Sequence, residues 1–204
     1  MAGENTYLLY NEQGDAALID CGASNREEWN MICAFLSDNN LTLKASLATH
    51  FHFDHVWGAP FILSTFGVKT SVPKKERIAL PSLKDQLMAF GLSLDANIDD
   101  SCFQDLDENM QELIGTKVQI LFVPGHSPGH LAFFMPEQKC VFSGDVIFAG
   151  GIGRTDLWGG SYQTLEKSIL DCIYTLPPET TIYSGHGPST SVKVEQQTNP
   201  FFRL

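Results

Sequence analysis

The segment Thr49-His50-Phe51-His52-Phe53-Asp54-His55 places three of the chain's six histidines and one aspartate within a single short stretch. Neutral imidazole and carboxylate are donors suited to Zn²⁺, Fe²⁺ or Mn²⁺. In an extended backbone, residues two apart share a side. His50, His52 and Asp54 are therefore expected to converge while His55 points elsewhere, giving two neighbouring half-sites. The plain alternative is hydrogen-bonded core or surface histidines. It suits a lone histidine, but four donors in this pattern serve metal ligation better. Three further donors recur in one context: His126 in VPGHSPGH, Asp145 in VFSGDVIF and His186 in IYSGHGPST each follow an apolar run and a glycine. Together His50, His52, Asp54, His55, His126, Asp145 and His186 supply what two divalent ions need, if Asp145 bridges them and solvent oxygen fills the open positions. Zinc is the first expectation, with iron or manganese as alternatives.

Such donors need rigid elements around them. TYLLYNEQGDAALIDCG reads as two strands about a Gly14-Asp15 hairpin turn. From Ser24 to Asn40 a capping serine precedes Trp29, Ile32, Cys33 and Leu36 at helical spacing. KASLATH is a short strand, followed by a helix from Trp57 to Phe66 with Pro60 in its first turn. SVPKKERIALPSLKDQLMAFGLSLDANIDD is helical between its prolines. KVQILFVPGHSPGHLAFFMPEQKCVFSGDVIF gives three strands broken by Gly-Pro punctuation. A Gly-rich loop, AGGIGRTDLWGG, leads into a helix over Tyr162 to Tyr174, and TTIYSG is the last strand. Sheets covered by helices are the expected architecture.

The 204 residues, 43% apolar, are enough for one well-filled core, so residues 1–204 are expected to form a single domain. No apolar run approaches the ~20 residues of a membrane helix, and the N-terminus lacks a secretory pattern, so the expectation is a soluble cytoplasmic protein without a membrane partner. Five scattered cysteines with no C-x-x-C pair argue against a disulfide framework. A net charge of −11 disfavours nucleic acid, leaving a small-molecule substrate. The oligomeric state is not expressed in the sequence.

H-x-H-x-D-H at 50–55, GHSPGH at 125–130, SGD at 143–145 and GHGP at 185–188 resemble the metallo-β-lactamase superfamily over nearly the whole chain. GDVIFAGGIGRTD and GHGPST are similar to the short glyoxalase-II-like hydrolases. The resemblance implies an α+β, four-layer αβ/βα sandwich with two mixed sheets flanked by helices and metals at one edge. By that match His50, His52 and His126 hold one metal, Asp54, His55 and His186 hold the other, and Asp145 bridges. Two-metal lactamases of this fold usually place cysteine where this chain has Asp145, which disfavours β-lactams. Full-length glyoxalase II carries a C-terminal helical domain that helps bind glutathione, whereas 18 residues follow His186 here. GRTD at 153–156 is also similar to persulfide dioxygenases, which use one iron. Those enzymes and glyoxalase II tend to carry a tyrosine where this chain has Pro188, which favours the short hydrolases.

The expected function is therefore dinuclear hydrolysis of an acyl thiolester of hydroxyacylglutathione type, or of a related ester. Alternatives are a mononuclear-iron persulfide dioxygenase and a lactonase. Two metals acidify a bound water from pKa ~16 toward neutrality, and Asp54 is the catalytic candidate that orients it and accepts its proton. A thiolate leaves with pKa ~8.5 and needs no general acid. Arg154 is a candidate substrate-binding residue, with pairing to Asp156 as the alternative. Thr49, His130 and Ser143 are expected to support the ligands. Phe51, Phe53, Trp158 and the LKDQLMAFGL stretch are expected in the core first, with a pocket wall as the second reading.

Overall fold

The structure is a computed structural model describing residues 3–92 and 98–204. Strands β1 (Tyr7–Tyr10) and β2 (Asp15–Ile19) form the expected antiparallel hairpin, with Gly14 at φ +83° in the turn. Helix α1 (Arg26–Asp38) follows. Its cap is Asn25 and not Ser24: the Asn25 side chain accepts from Glu28 N–H, and Glu28 returns the favour by accepting from Ser24 N–H at 2.7 Å. The cap lies one residue later than the serine implied, and the Glu28 carboxylate holds Ser24 in a variant of the capping box.

Strand β3 (Thr42–Leu47) leads to a single helical turn, α2 (Phe53–Val56), and then to α3 (Ala59–Phe66), which carries Pro60 in its first turn and ends at left-handed Gly67. After β4 (Thr70–Val72), helix α4 (Lys74–Ala79) lies between Pro73 and Pro81 as the punctuation predicts, while α5 (Leu83–Ala89) follows the second proline, outside the predicted interval. The part of that segment falling on 93–97 lies outside the described residues. Strand β5 (Phe103–Asp105) completes a sheet of order β1-β2-β3-β4-β5, antiparallel at β1/β2 and parallel elsewhere.

A small hairpin, β6 (Glu112–Leu113) with β7 (Thr116–Lys117), precedes the three predicted strands β8 (Gln119–Phe122), β9 (Leu131–Met135) and β10 (Cys140–Gly144). The start of the expected Gly-rich loop, β12 (Gly151–Ile152), pairs with β11 (Ile147–Phe148) just before it as a two-stranded ribbon. Helix α6 (Tyr162–Ser168) continues as a wider π-helical stretch to Ile173, matching the predicted span. Strand β13 (Thr181–Ser184) is not the last: β14 (Thr190–Ser191) and α7 (Val192–Thr198) follow, both too short to give a periodic signal. The second sheet runs β14-β13-β10-β9-β8, with only β10/β13 parallel.

Strand alternation builds the layers. Ala17, Ile19 and Leu47 of the first sheet meet Leu131, Phe133 and Met135 of the second. Ala16 and Leu18 point the other way, against Trp29 and Leu36 of α1. On the far side Ala132, Phe134 and Val141 pack against Leu165, Ile169 and Val192. Strand β9 is therefore buried on both faces, which is why LAFFM reads as an unbroken apolar run. The result is the expected four-layer sandwich of two mixed sheets between helices. Among the described residues no helix is long and apolar enough to cross a membrane, and all five cysteines are free.

Phe133, with no exposed surface between the sheets, is the test of this core. Phe133→Ala is expected to destabilise the chain by about 3–5 kcal/mol in urea unfolding; a change under about 1 kcal/mol would contradict the inter-sheet placement.

Candidate metal centre

The strand ends of both sheets deliver the donors to one edge. His50 and His52 follow β3, His126 lies in the β8–β9 loop, Asp145 directly follows β10 and His186 follows β13. The extended-chain expectation holds for His50 and His52 but fails for the next two donors. Asp54 and His55 sit in α2, so the helical turn swings Asp54 away from His52 and toward His55. Three groups of ligand atoms result, each within 4.8 Å: His50, His52 and His126; His50, His55 and Asp145; and Asp54, His55 and His186. Asp145 stands between them, Oδ1 lying 3.5 Å from His55 Nε2, and Oδ2 3.5 Å from His186 Nε2 and 3.7 Å from His126 Nε2. His186 Nε2 is also 3.4 Å from Asp54 Oδ2.

Surrounding groups fix which ring nitrogens carry hydrogen. Thr49 Oγ1 donates to Asp20 Oδ2 at 2.9 Å, so toward His50 Nδ1, 3.0 Å away, it must accept. That places the hydrogen on Nδ1 of His50 and leaves a lone pair on Nε2. The Arg154 carbonyl likewise accepts from His126 Nδ1 at 2.8 Å, freeing His126 Nε2. Both free nitrogens aim at His52 Nδ1, from 3.1 and 2.9 Å. His55 Nδ1 faces Asp20 Oδ2 at 3.2 Å, which turns His55 Nε2 toward Asp145. Lone pairs directed at common points are what a cation requires.

Charge is distributed unequally. Burial holds His50 well below the ordinary imidazole value, pushes His52 down to about 3 and lowers His126. Burial opposes the charge on His55 too, but Asp145 and Asp20 outweigh it and hold His55 well above the ordinary value. Contacts with Asp145 and Asp54 raise His186 to about 10. Burial also opposes ionisation of Asp145, yet His55 and His186 keep it well below the usual carboxylate range. His55 Nε2 and Asp145 Oδ1 are buried without a hydrogen-bond partner in the protein. Buried polar atoms of this kind need a partner, and a divalent ion fits both. The donor set, all imidazole and carboxylate, suits two such ions.

A profile of the metallo-beta-lactamase superfamily matches residues 2–186. The chain belongs to this superfamily. It is 38% identical over 200 residues to the hydroxyacylglutathione hydrolase GloC of Haemophilus influenzae, covering 97% of this chain and 92% of that one. It is similar to the crystal structure of the BLEG-1 B3 metallo-beta-lactamase, with TM-score 0.85 and 33% identity over 98% of this chain and 94% of that one. A second crystal structure, of a protein in a di-iron-bound form, gives TM-score 0.83 and 36% identity over 98% of this chain and 95% of that one.

The metallo-beta-lactamase fold here is braced by residues that sequence reasoning missed. Asp20, at φ +52° after β2, accepts from Thr49 N–H and O–H and faces His55. Glu76 of α4 is fully buried and accepts from Phe51 N–H at 3.2 Å and from Gly129 N–H, joining the His50–His55 segment to the loop that carries His126. Gln86 of α5 accepts from Phe53 N–H and donates to the Phe51 carbonyl. Glu76 stands among charged neighbours in KKERIA, and Gln86 directly follows Lys84 and Asp85, so neither stood out in the sequence as a buried polar residue. A Cβ on Gly185 would collide with the Asp145 carboxylate and lie 2.6 Å from His55 Cε1, so only glycine lets β13 pass this close.

Of the expected supporting residues, Thr49 touches His50 as described. His130 stacks on His50 at 4.5 Å and accepts from Asp145 N–H at 3.2 Å. Ser143 instead reaches main-chain carbonyls of Gly144 and Ile147. Arg154 lines the cleft beside the donors, with its guanidinium in a bidentate pair to Asp156 at 2.7 and 2.8 Å. Phe53, Phe90 and Trp158 also face the cleft, whereas Phe51 is core, packed on Phe103.

Two outcomes are expected. His186, raised to about 10, is protonated at pH 7 in the metal-free chain, and so is His55, while His50 and His52 are neutral. Binding at the Asp54–His55–His186 group must therefore displace protons and weakens as pH falls; binding at His50–His52–His126 displaces none. Calorimetric titration in buffers of different ionisation enthalpy should show proton release confined to one of two binding steps, and acid should strip that ion first. Release shared equally between the steps would contradict this. Separately, Glu76→Ala leaves two buried N–H groups without acceptors and should cost about 2–6 kcal/mol in urea unfolding, with reduced metal content; unchanged stability and content would remove the bracing role.

Proposed function

We propose that the chain is a dinuclear metal-dependent hydrolase of acyl thiolesters. The observation that carries this is the shared carboxylate, Asp145, set between two groups of imidazole and carboxylate donors at the floor of a cleft of about 620 Å³. His50, His52 and His126 would hold one ion, Asp54, His55 and His186 the other, and Asp145 both. Zinc is the first choice of metal, and the di-iron form of a similar structure makes iron the alternative. When bound, the ions supply Lewis acidity and a water acidified to react near neutral pH.

The chain's own residues then orient the reactants. Asp54 lines the cleft while one of its oxygens faces His186, so the carboxylate reaches both the second ion position and the space above it. Its contact with His186 outweighs burial and keeps it ionised, able to accept a hydrogen bond from the attacking water and align it. Beyond the donor set, the described residues lining the cleft include no carboxylic acid, histidine, tyrosine or lysine. A leaving group that needs no proton is therefore favoured, and a thiolate with pKa ~8.5 is such a group. The similarity to a hydroxyacylglutathione hydrolase supports the same substrate class.

The similarity to a B3 metallo-beta-lactamase supports a second reading, β-lactam hydrolysis on the same donors. Elemental analysis beside hydrolysis of S-lactoylglutathione and of a chromogenic cephalosporin, each before and after chelation, separates the two. Two ions per chain with chelator-sensitive thiolester hydrolysis supports the first; cephalosporin turnover alone supports the second. A single iron with sulfide-dependent oxygen uptake and no hydrolysis overturns both in favour of an oxygenase. Asp54→Asn is expected to lower kcat by about 10²- to 10⁴-fold. Near-native turnover with both metals retained would falsify its role.

A further inference from the structure

The walls of the cleft are apolar on both sides. Phe53, Trp57, Phe90 and Leu92 stand on the side of α2 and α5; Phe148, Ile152, Leu157 and Trp158 stand on the side of the β11–β12 ribbon and the loop after it. The two sides approach each other at Phe90 and Trp158, whose rings lie 6.3 Å apart at 77°. Trp158 also sits 6.2 Å from His52 and Phe148 6.1 Å from His186, so apolar surface begins at the ligand rings themselves. Phe90 is 42% exposed although it lies at the cleft, a large apolar face left open to solvent at its mouth.

The polar lining residues outside the donor set are Gln86 and Arg154 among the described residues. Gln86 is fully engaged: its oxygen accepts from Phe53 N–H, and its amide nitrogen donates to the Phe51 and Pro81 carbonyls. Arg154 is held by Asp156, so the pair brings no net charge to the rim. A ligand carrying two carboxylates away from its reacting bond would have to leave water for an apolar wall where, among the described residues, no free side-chain cation meets it, which is unfavourable.

We infer that the cleft selects a thiolester whose acyl portion is uncharged and apolar, an aliphatic or aromatic group lodged between Phe90, Trp158 and Phe148, and whose thiol portion is not a peptide carrying two carboxylates. This rests on the thiolester reading above. Each buried methylene then contributes about fourfold to kcat/KM.

Two measurements test it. With the metal-loaded full chain, thiolesters of the neutral thiol N-acetylcysteamine bearing acetyl, butyryl, hexanoyl and benzoyl groups are compared with S-lactoylglutathione. The expected result is a rise in kcat/KM along the acyl series to at least tenfold above lactoylglutathione, flattened in Phe90→Ala and Trp158→Ala with unchanged metal content. With the same metal-loaded full chain, tryptophan fluorescence follows binding of the non-hydrolysable thioethers S-hexyl-N-acetylcysteamine and S-hexylglutathione. The neutral thioether is expected to bind at least as tightly as the glutathione one, and its S-methyl analogue more than tenfold more weakly. A flat acyl series, preference for lactoylglutathione, or tighter binding of S-hexylglutathione that is lost in Arg154→Ala overturns the inference while leaving the hydrolase standing. No turnover of any thiolester with two metals bound overturns the thiolester reading itself, and the thioether titration still reports whether the cleft prefers apolar, uncharged ligands.

Discussion

The Asp20 carboxylate lies almost solvent-free at the end of β2, where it accepts both hydrogen bonds that Thr49 can donate and faces the ring of His55. Through Thr49 it sets the tautomer of His50, and by direct approach it sets that of His55. The two histidines meet in one group with Asp145, and each also belongs to a group of its own, His50 with His52 and His126 and His55 with Asp54 and His186, so one buried anion orients ligands across the whole centre. Without it, either ring could present an N–H where a lone pair is needed, and a cation would meet a proton. The left-handed backbone at Asp20, tolerated by aspartate better than by most residues, is what turns the carboxylate inward from the strand.

Much of the centre was legible because its chemistry is concentrated in residue types that have few other reasons to cluster. All seven donors read from the sequence arrive at one edge; apolar runs of strand length pointed to sheets covered by helices, and the arrangement as two mixed sheets came from the family resemblance. What the sequence misjudged has local causes. Strand alternation was extended through Asp54 and His55, where a four-residue helix intervenes that is too short for any periodic signal. The same shortness hid the β11–β12 ribbon, β14 and α7. Asp20, Glu76 and Gln86 were illegible for a different reason: each acts through main-chain or side-chain groups far away in sequence, and nothing near them in the chain announces the partner.

Helices α4 and α5 connect the centre to its cleft. Leu83 and Leu87 pack into the core with Phe51 and Phe103, which anchors the helices. From that base Glu76 and Gln86 hold the main chain of the His50–His55 segment, while Phe90, just past α5, reaches the cleft. The same short helical unit therefore both steadies the donors and shapes what can approach them.

The donors are divided between the two halves of the sandwich: the first sheet's loops contribute His50, His52, Asp54 and His55, and the second's contribute His126, Asp145 and His186. Neither half could close a coordination sphere alone. Ions bound there would act as clasps between the sheets, and by mass action the free energy of binding them would be added to the cohesion of the sandwich. In a chain with this division, metal supply would bear on mechanical integrity as well as chemistry, because without ions the seam along which the two sheets meet would lose that cohesion.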